Sequence, residues 1–202
     1  MMHFTENWDG VPLFSFLPKR SENPFHPRQV MAFKLILVLL TVPFITVSGA
    51  PGCDLLRFRG GYFRGSGIVH RGFVAAMEDI NRYAIQCKVK IHLTSSFRKD
   101  NGRKITGAIV TPSKISNHFV GHAIDMNVVD GQHWCNSNCL RNEKNQRSRV
   151  KCFISKIRQD ANLRWGGDFS ISDPVHIDDG LNRKNLEEYH RLYKTLQTNC
   201  QL

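Results

Sequence analysis

Two histidines and an aspartate have the types and spacing to hold a metal ion. The run from Ser116 to Asn127 reads SNHFVGHAIDMN and sets His118 and Asp125 seven positions apart. An imidazole nitrogen and a carboxylate oxygen both suit zinc. Seven residues exceed one helical turn, so the chain between them must bend, and Gly121 supplies a flexible point ahead of a strand carrying Asp125. Such a pair alone says little, because most are surface groups or satisfied hydrogen-bonding partners. A second cluster, WGGDFSISDPVHID over residues 165–178, adds His176 as a third ligand. Three protein ligands leave the fourth position of a zinc ion to water, whose pKa the metal lowers toward about 7. Asp173 is then a carboxylate suited to take the proton, although Asp before Pro174 also reads as a turn residue. Gly166 and Gly167 either end a preceding helix or permit close backbone approach. His122 and His133 lie near these residues and are read as non-ligands; alternation along a strand turns His122 away from the face of Asp125.

The elements that must position these side chains are legible from periodicity. Residues 54–67 (DLLRFRGGYFRGSG) are glycine-dense and read as irregular backbone. From Ile68 to Lys88 apolar residues recur at three- and four-residue steps, which predicts a helix. Residues 89–95 (VKIHLTS) alternate as a half-buried strand does, and 123–129 (AIDMNVV) resume strand character. Between them, 99–117 reads as a long loop arching over a site. Residues 130–149 form a polar excursion containing Cys135 and Cys139. A helix over about 150–162 turns Phe153, Ile154, Ile157 and Ala161 inward; Val175 to Asp178 is a short strand. A last helix over 183–198 points Leu186, Tyr189, Leu192, Tyr193 and Leu196 inward, with Asn182 as its cap. Helices and short strands without repeats imply an α+β domain.

The chain has 202 residues, room for one ordinary domain and extensions. Residues 31–50 (MAFKLILVLLTVPFITVSGA) have signal-peptide anatomy, with an apolar run shorter than the roughly 20 residues a membrane span needs. They divide the chain into a 1–30 extension ahead of a start at Met31, a signal peptide over 31–50, and a mature domain over 51–202. A cytoplasmic tail before an uncleaved anchor is the competing reading; no permanent membrane anchor is expected. All six cysteines (Cys53, Cys87, Cys135, Cys139, Cys152 and Cys200) follow the proposed cut, which favours a secreted protein with three disulfides over a structural metal site. Of 28 basic and 17 acidic residues, four and three lie in 1–50, so the remainder keeps a net charge of +10. An anionic partner fits this balance. Nucleic acid is not expected, because the basic residues are dispersed and no recognised binding module is present.

The motifs resemble a known family. Ser116, His118, Gly121, Ala123 and Asp125 reproduce the S-x-H-x-x-G-x-A-x-D pattern of VanY-like D-alanyl-D-alanine carboxypeptidases and L-alanyl-D-glutamate peptidases. WGGDF followed by DPVH resembles the second motif of that group, and TSSFR at Thr94 to Arg98 resembles an upstream T-S-x-x-R segment. The resemblance implies a Hedgehog/DD-peptidase fold with a small, mainly antiparallel sheet and one zinc ion per chain. It places His118, Asp125 and His176 on the metal ligands, Asp173 on the catalytic carboxylate, Arg98 on the residue supporting an oxyanion, and Ser116 on a substrate contact. The expected activity is hydrolysis of a peptidoglycan peptide bond, with wall stem peptides as partners of a monomeric enzyme. The alternative is a non-catalytic zinc-containing binding or signalling domain of Hedgehog-like fold. The cysteines and the 130–149 excursion depart from the family's usual bacterial members, so cleavage specificity does not carry over.

Overall fold

Two sheets and two helical layers position the site in the computed structural model, which describes residues 45–46, 52–102, 109–111 and 113–201. The 1–30 extension, most of 31–50 and the middle of the 99–117 loop lie outside the described residues. In chain order the elements are β1 (Ile45–Thr46), β2 (Leu55–Phe58), β3 (Phe63–Arg64), β4 (Gly67–His70), α1 (Val74–Cys87), β5 (Lys90–Ser95), β6 (Ala123–Asp130), β7 (His133–Cys135), α2 (Ser137–Arg141), α3 (Ser148–Gln159), β8 (Arg164–Trp165), β9 (His176–Asp178), α4 (Leu181–Lys184) and α5 (Leu186–Asn199). A small sheet runs β1-β2-β4, and the main sheet runs β3-β5-β6-β9-β8 with β7 also pairing β6. Every pairing except β3 with β5 is antiparallel. The protein is thus α+β with a small, mainly antiparallel sheet, as its pattern implies.

The eight-residue β6 is the spine of the main sheet. On one side it pairs with β5; on the other its first half pairs with β9 and its second half with β7. Ile91 of β5 and Ile124, Met126 and Val128 of β6 are fully buried and meet the apolar stripes of α1 and α3. Met77, Ile80, Ala84 and Cys87 form the first stripe, and Val150, Phe153, Ile154 and Ile157 the second. Each fully buried Ile, Met or Phe here contributes about 1.5–3 kcal/mol through removal from water. The Cys87–Cys152 disulfide ties the two helices together.

Three disulfides are formed, and the expectation that all six cysteines pair is met. Cys53–Cys200 ties the start of β2 to the end of α5, and Cys135–Cys139 closes a short loop within the excursion. A second apolar cluster, including Leu55, Val120, Tyr189, Leu192 and Leu196, lies between α5 and the small sheet.

Several expected boundaries move. Ile68 to His70 belong to β4, and α1 begins only at Val74, because His70 stops the strand and its ring accepts from the Gly72 amide at the head of a short 3-10 turn. The glycine-dense 54–67 segment holds β2 and β3, since Leu55, Leu56, Phe58 and Phe63 have apolar clusters to enter. Ala161 lies beyond α3 and is exposed. Asn185, not Asn182, caps the last helix by accepting from the Glu188 amide, and Leu186 is left exposed. The 130–149 excursion is folded, containing β7, α2 and a 3-10 turn over Glu143–Asn145. No helix among the described residues is long and apolar enough to cross a membrane.

Candidate metal centre

His118 sits on a 3-10 turn over Asn117–Val120 that leads into β6. Gly121 ends this turn at φ 70°, and a β-carbon there would lie 2.6 Å from the backbone nitrogen of His70. Only glycine lets the turn dock so closely on β4. Helix α5 holds the turn from the other side: the Tyr189 hydroxyl donates to the Ser116 carbonyl at 3.1 Å, and the Gln197 amide donates to the carbonyls of Phe119 and Arg98. Asp125 lies on β6 directly opposite His176 of β9, so the sheet register itself brings these two side chains to one place.

The three groups form a nearly equilateral triangle. His118 Nε2 and His176 Nδ1 each lie 3.1 Å from Asp125 Oδ1 and 3.2 Å from each other. Their outer hydrogen bonds fix what each ring offers inward. His118 Nδ1 is 2.8 Å from the Ser96 carbonyl oxygen, which only accepts, so Nδ1 carries the proton and Nε2 presents a lone pair. His176 Nε2 is 3.0 Å from Asp178 Oδ2, and Arg164 grips the same carboxylate through two bonds of 2.6 and 2.7 Å. Asp178 therefore holds the His176 Nε2 proton and leaves Nδ1 to face the triangle.

Two lone pairs and a carboxylate oxygen meeting at hydrogen-bond distance need a positive centre among them. A tetrahedron with metal–ligand bonds of about 2.0–2.1 Å has edges of about 3.3 Å, close to the triangle observed. The donor set and its spacing fit zinc, and these residues form a candidate metal-ligand group. A second grouping of His133, Cys135 and Cys139 does not, because both sulfurs are spent in a disulfide.

The titrations follow from this crowding. Burial alone would raise the Asp125 pKa, but His118 and His176 hold it well below the usual carboxylate range. Burial lowers His118, with Asp125 opposing. Burial also disfavours charge on His176, yet hydrogen bonds to Asp125 and Asp178 prevail and push it up to about 9. Without a cation, a proton on His176 Nδ1 takes its electrostatic place.

A cavity of about 760 Å³ opens beside the triangle, bordered by Ser116, Arg98 and Asp173 among others. Asp173 Oδ1 is buried without a hydrogen-bond partner, and its pKa is raised by burial and then by Asp125. Arg98 extends from the end of β5 with Nη1 3.5 Å from Ser95 Oγ and 3.9 Å from Asp125 Oδ2, while its Nε is buried without a partner. Buried polar atoms without partners are uncommon and carry a free-energy cost, so two of them beside one cavity mark places where a ligand supplies the missing contacts. Trp165 is buried, and its indole donates to the Pro174 carbonyl beneath the loop.

All six residues singled out from sequence border this cavity. Asp178 was missed, although its position two residues beyond His176 on one strand is the signal that could have found it. The Gly166–Gly167 pair ends no helix; it follows β8, where Gly166 permits close approach of the Asp173 loop and Gly167 leaves room for the Trp165 ring. His122 is no ligand of the triangle. Its Nε2 lies 2.9 Å from His70 Nδ1 and its Nδ1 2.6 Å from Asp179 Oδ2, in a separate cluster.

Residues 110–179 match the family model described as D-alanyl-D-alanine carboxypeptidase, the peptidase family that the sequence motifs resemble. The matched span includes the whole triangle, Ser116 and Asp173; Arg98 lies upstream of it. A comparison with curated proteins returned no match.

Proposed function

We propose, from this family match and the geometry around Asp125, that the chain is a zinc-dependent peptidase that hydrolyses a peptide bond of peptidoglycan. The bond is of the D-Ala-D-Ala carboxypeptidase or the L-Ala-D-Glu endopeptidase type, and the fold is that of the Hedgehog/DD-peptidase group. The observation that carries the reading is the triangle of two imidazole lone pairs and one carboxylate oxygen beside two unpartnered polar groups, Asp173 Oδ1 and Arg98 Nε.

His118, Asp125 and His176 would hold the ion. Bound zinc supplies a Lewis acid and an acidified water. Asp173 would accept a proton from the attacking water and return it to the leaving amine, a task for which a raised carboxyl pKa is apt. Arg98 keeps a fixed charge toward the oxygen on which negative charge develops. Ser116 contacts the substrate from the cavity wall. A non-catalytic zinc domain would need neither Asp173 nor Arg98 at the cavity.

The protein is exported: residues 31–50 act as its signal peptide, 51–202 form the mature domain, and the disulfides form in an oxidising compartment. Cleavage would separate β1 from β2, leaving the β2–β4 ladder and Cys53–Cys200 to hold that edge. The test is digestion of purified peptidoglycan with and without chelator, with the new termini identified by mass spectrometry. Released D-alanine or a newly exposed D-glutamate amine, each abolished by chelator and restored by zinc, supports the reading. Hydrolysis indifferent to chelator, or no new terminus, overturns it.

A further inference from the structure

The face of the main sheet turned away from α1 and α3 continues past the metal centre. Along β6, Asp125, Asn127 and Val129 share this face by alternation. Register adds Lys90 and His92 of β5 opposite Val129 and Asn127, Arg64 of β3 opposite His92, and Trp134 of β7 opposite Val129. Side chains of directly paired residues stand on the same side of a sheet.

Three parts follow one another along this face. The first is the metal cavity, bordered by Asn127 together with Asn136 and Ser137 of the excursion. Next comes an aromatic platform, where the Trp134 and His92 rings lie 4.7 Å apart and Trp134 is 44% exposed. Last, at the rim where this face meets the helices, is a second cavity of about 550 Å³, bordered by Arg64 and Lys90 of the strands with Tyr62 just before β3, by Ile85 and Lys88 at the end of α1, and by Arg149 of α3. Arg149 is paired with Asp130 at 3.1 Å; Arg64, Lys88 and Lys90 have no ion-pair partner among the described residues. The excursion contributes to all three parts, and the Cys135–Cys139 disulfide fixes it immediately after Trp134.

We propose that this face is a polymer-anchoring track on which Trp134 stacks against a sugar ring and Arg64, Lys88 and Lys90 bind carboxylate or phosphate groups of an anionic polysaccharide. The choice of a glycan rests on the peptidase reading, because the track is continuous with the cavity that would take the polymer's peptide branches. An exposed indole offers an apolar face that suits the C–H face of a sugar. Unpaired cations on one surface select an anionic partner and make binding sensitive to salt.

The test measures binding, so that failure of the peptidase reading leaves it interpretable. Zinc-loaded Asp173→Asn protein is sedimented with intact bacterial sacculi and with sacculi stripped of phosphate polymers by acid. Trp134→Ala and the double change Arg64→Glu/Lys90→Glu should each weaken co-sedimentation about tenfold or more, while Trp134→Tyr and Lys90→Arg retain it. Raising salt from about 0.05 M to about 0.5 M should release the protein. Weaker binding to stripped sacculi assigns the anion to phosphate, and equal binding assigns it to carboxylate. Sacculi that never retain the parent protein, variants that sediment like the parent, or retention by single-stranded DNA in place of sacculi overturns the proposal.

Discussion

The carbonyl oxygen of Asp173 lies where a side chain on Gly166 would have to go: a β-carbon at residue 166 would stand 2.3 Å from that oxygen and 2.8 Å from the His176 β-carbon. The two backbones are also joined by the Asp173 amide donating to the Gly166 carbonyl at 2.8 Å. Gly166→Ala should therefore push the loop that carries both Asp173 and His176. A displacement near 1 Å at reacting groups costs about 100-fold in rate. The expected result is a loss of kcat of that order and weaker zinc retention, read by steady-state kinetics and metal analysis. Gly61→Ala, at a glycine with open space around its α-carbon, is the control and should change neither.

Asp178 would act on a bound metal through His176, whose Nε2 it holds at 3.0 Å. It is 2% exposed, and hydrogen bonds from His176 and Arg164 hold its pKa well below the usual carboxylate range although burial opposes this. Asp178→Asn removes the charge and leaves one acceptor oxygen where the carboxylate offers two, so His176 Nε2–H and the Arg164 guanidinium can no longer both be held and the His176 tautomer loses its fixed partner. Such changes behind a ligand weaken metal binding by about 10–100-fold. Competition against a zinc-binding dye should give a loss in this range; unchanged affinity would show that the tautomer is fixed by other means.

Much of this centre was legible from sequence because its parts are local. His118, Gly121 and Asp125 lie in one turn and strand, and Asp173 with His176 in one loop and strand, so short motifs carry them. What the motifs lack is partnership across the fold. The Asp178–Arg164 grip depends on β8 meeting β9, and the support of Arg98 by Gln197 depends on α5 returning across a sequence separation of 99 residues. Periodicity misassigned Ile68 to His70 because Val69 and Phe73 satisfy a helical step as readily as Val69 satisfies a strand, and only pairing with β2 decides. Leu186 read as core, yet α5 begins at that residue with its other face inward.

Asp173 and Arg98 should separate chemistry from metal binding. Asp173→Ala removes the proton acceptor but none of the three ligand atoms, so zinc content should stay at one per chain while kcat falls by about 100- to 10,000-fold. Arg98→Ala should cost about 100- to 1,000-fold in kcat through loss of oxyanion support. Arg98→Lys keeps a charge but loses the planar fork, and should recover only part of the rate. Wall digestion by Asp173→Ala at the normal rate would remove Asp173 from the mechanism.

Proton and metal compete at His176. In the metal-free protein its pKa is pushed up to about 9, against an ordinary value of 6.5, because hydrogen bonds to Asp125 and Asp178 outweigh burial. The raised value gives the sign: stabilisation from this proton is fully present below about 6.5 and is lost as pH rises through about 9. Chelated protein should therefore lose urea resistance between these values. The same proton must leave when zinc binds, so apparent zinc affinity should weaken about tenfold per unit as pH falls from about 9 toward neutrality. Calorimetry at pH 7 in buffers of different ionisation enthalpy should find about one proton released per zinc. His176→Ala should abolish both effects; a metal-free protein whose urea resistance is flat across this window would place the proton elsewhere.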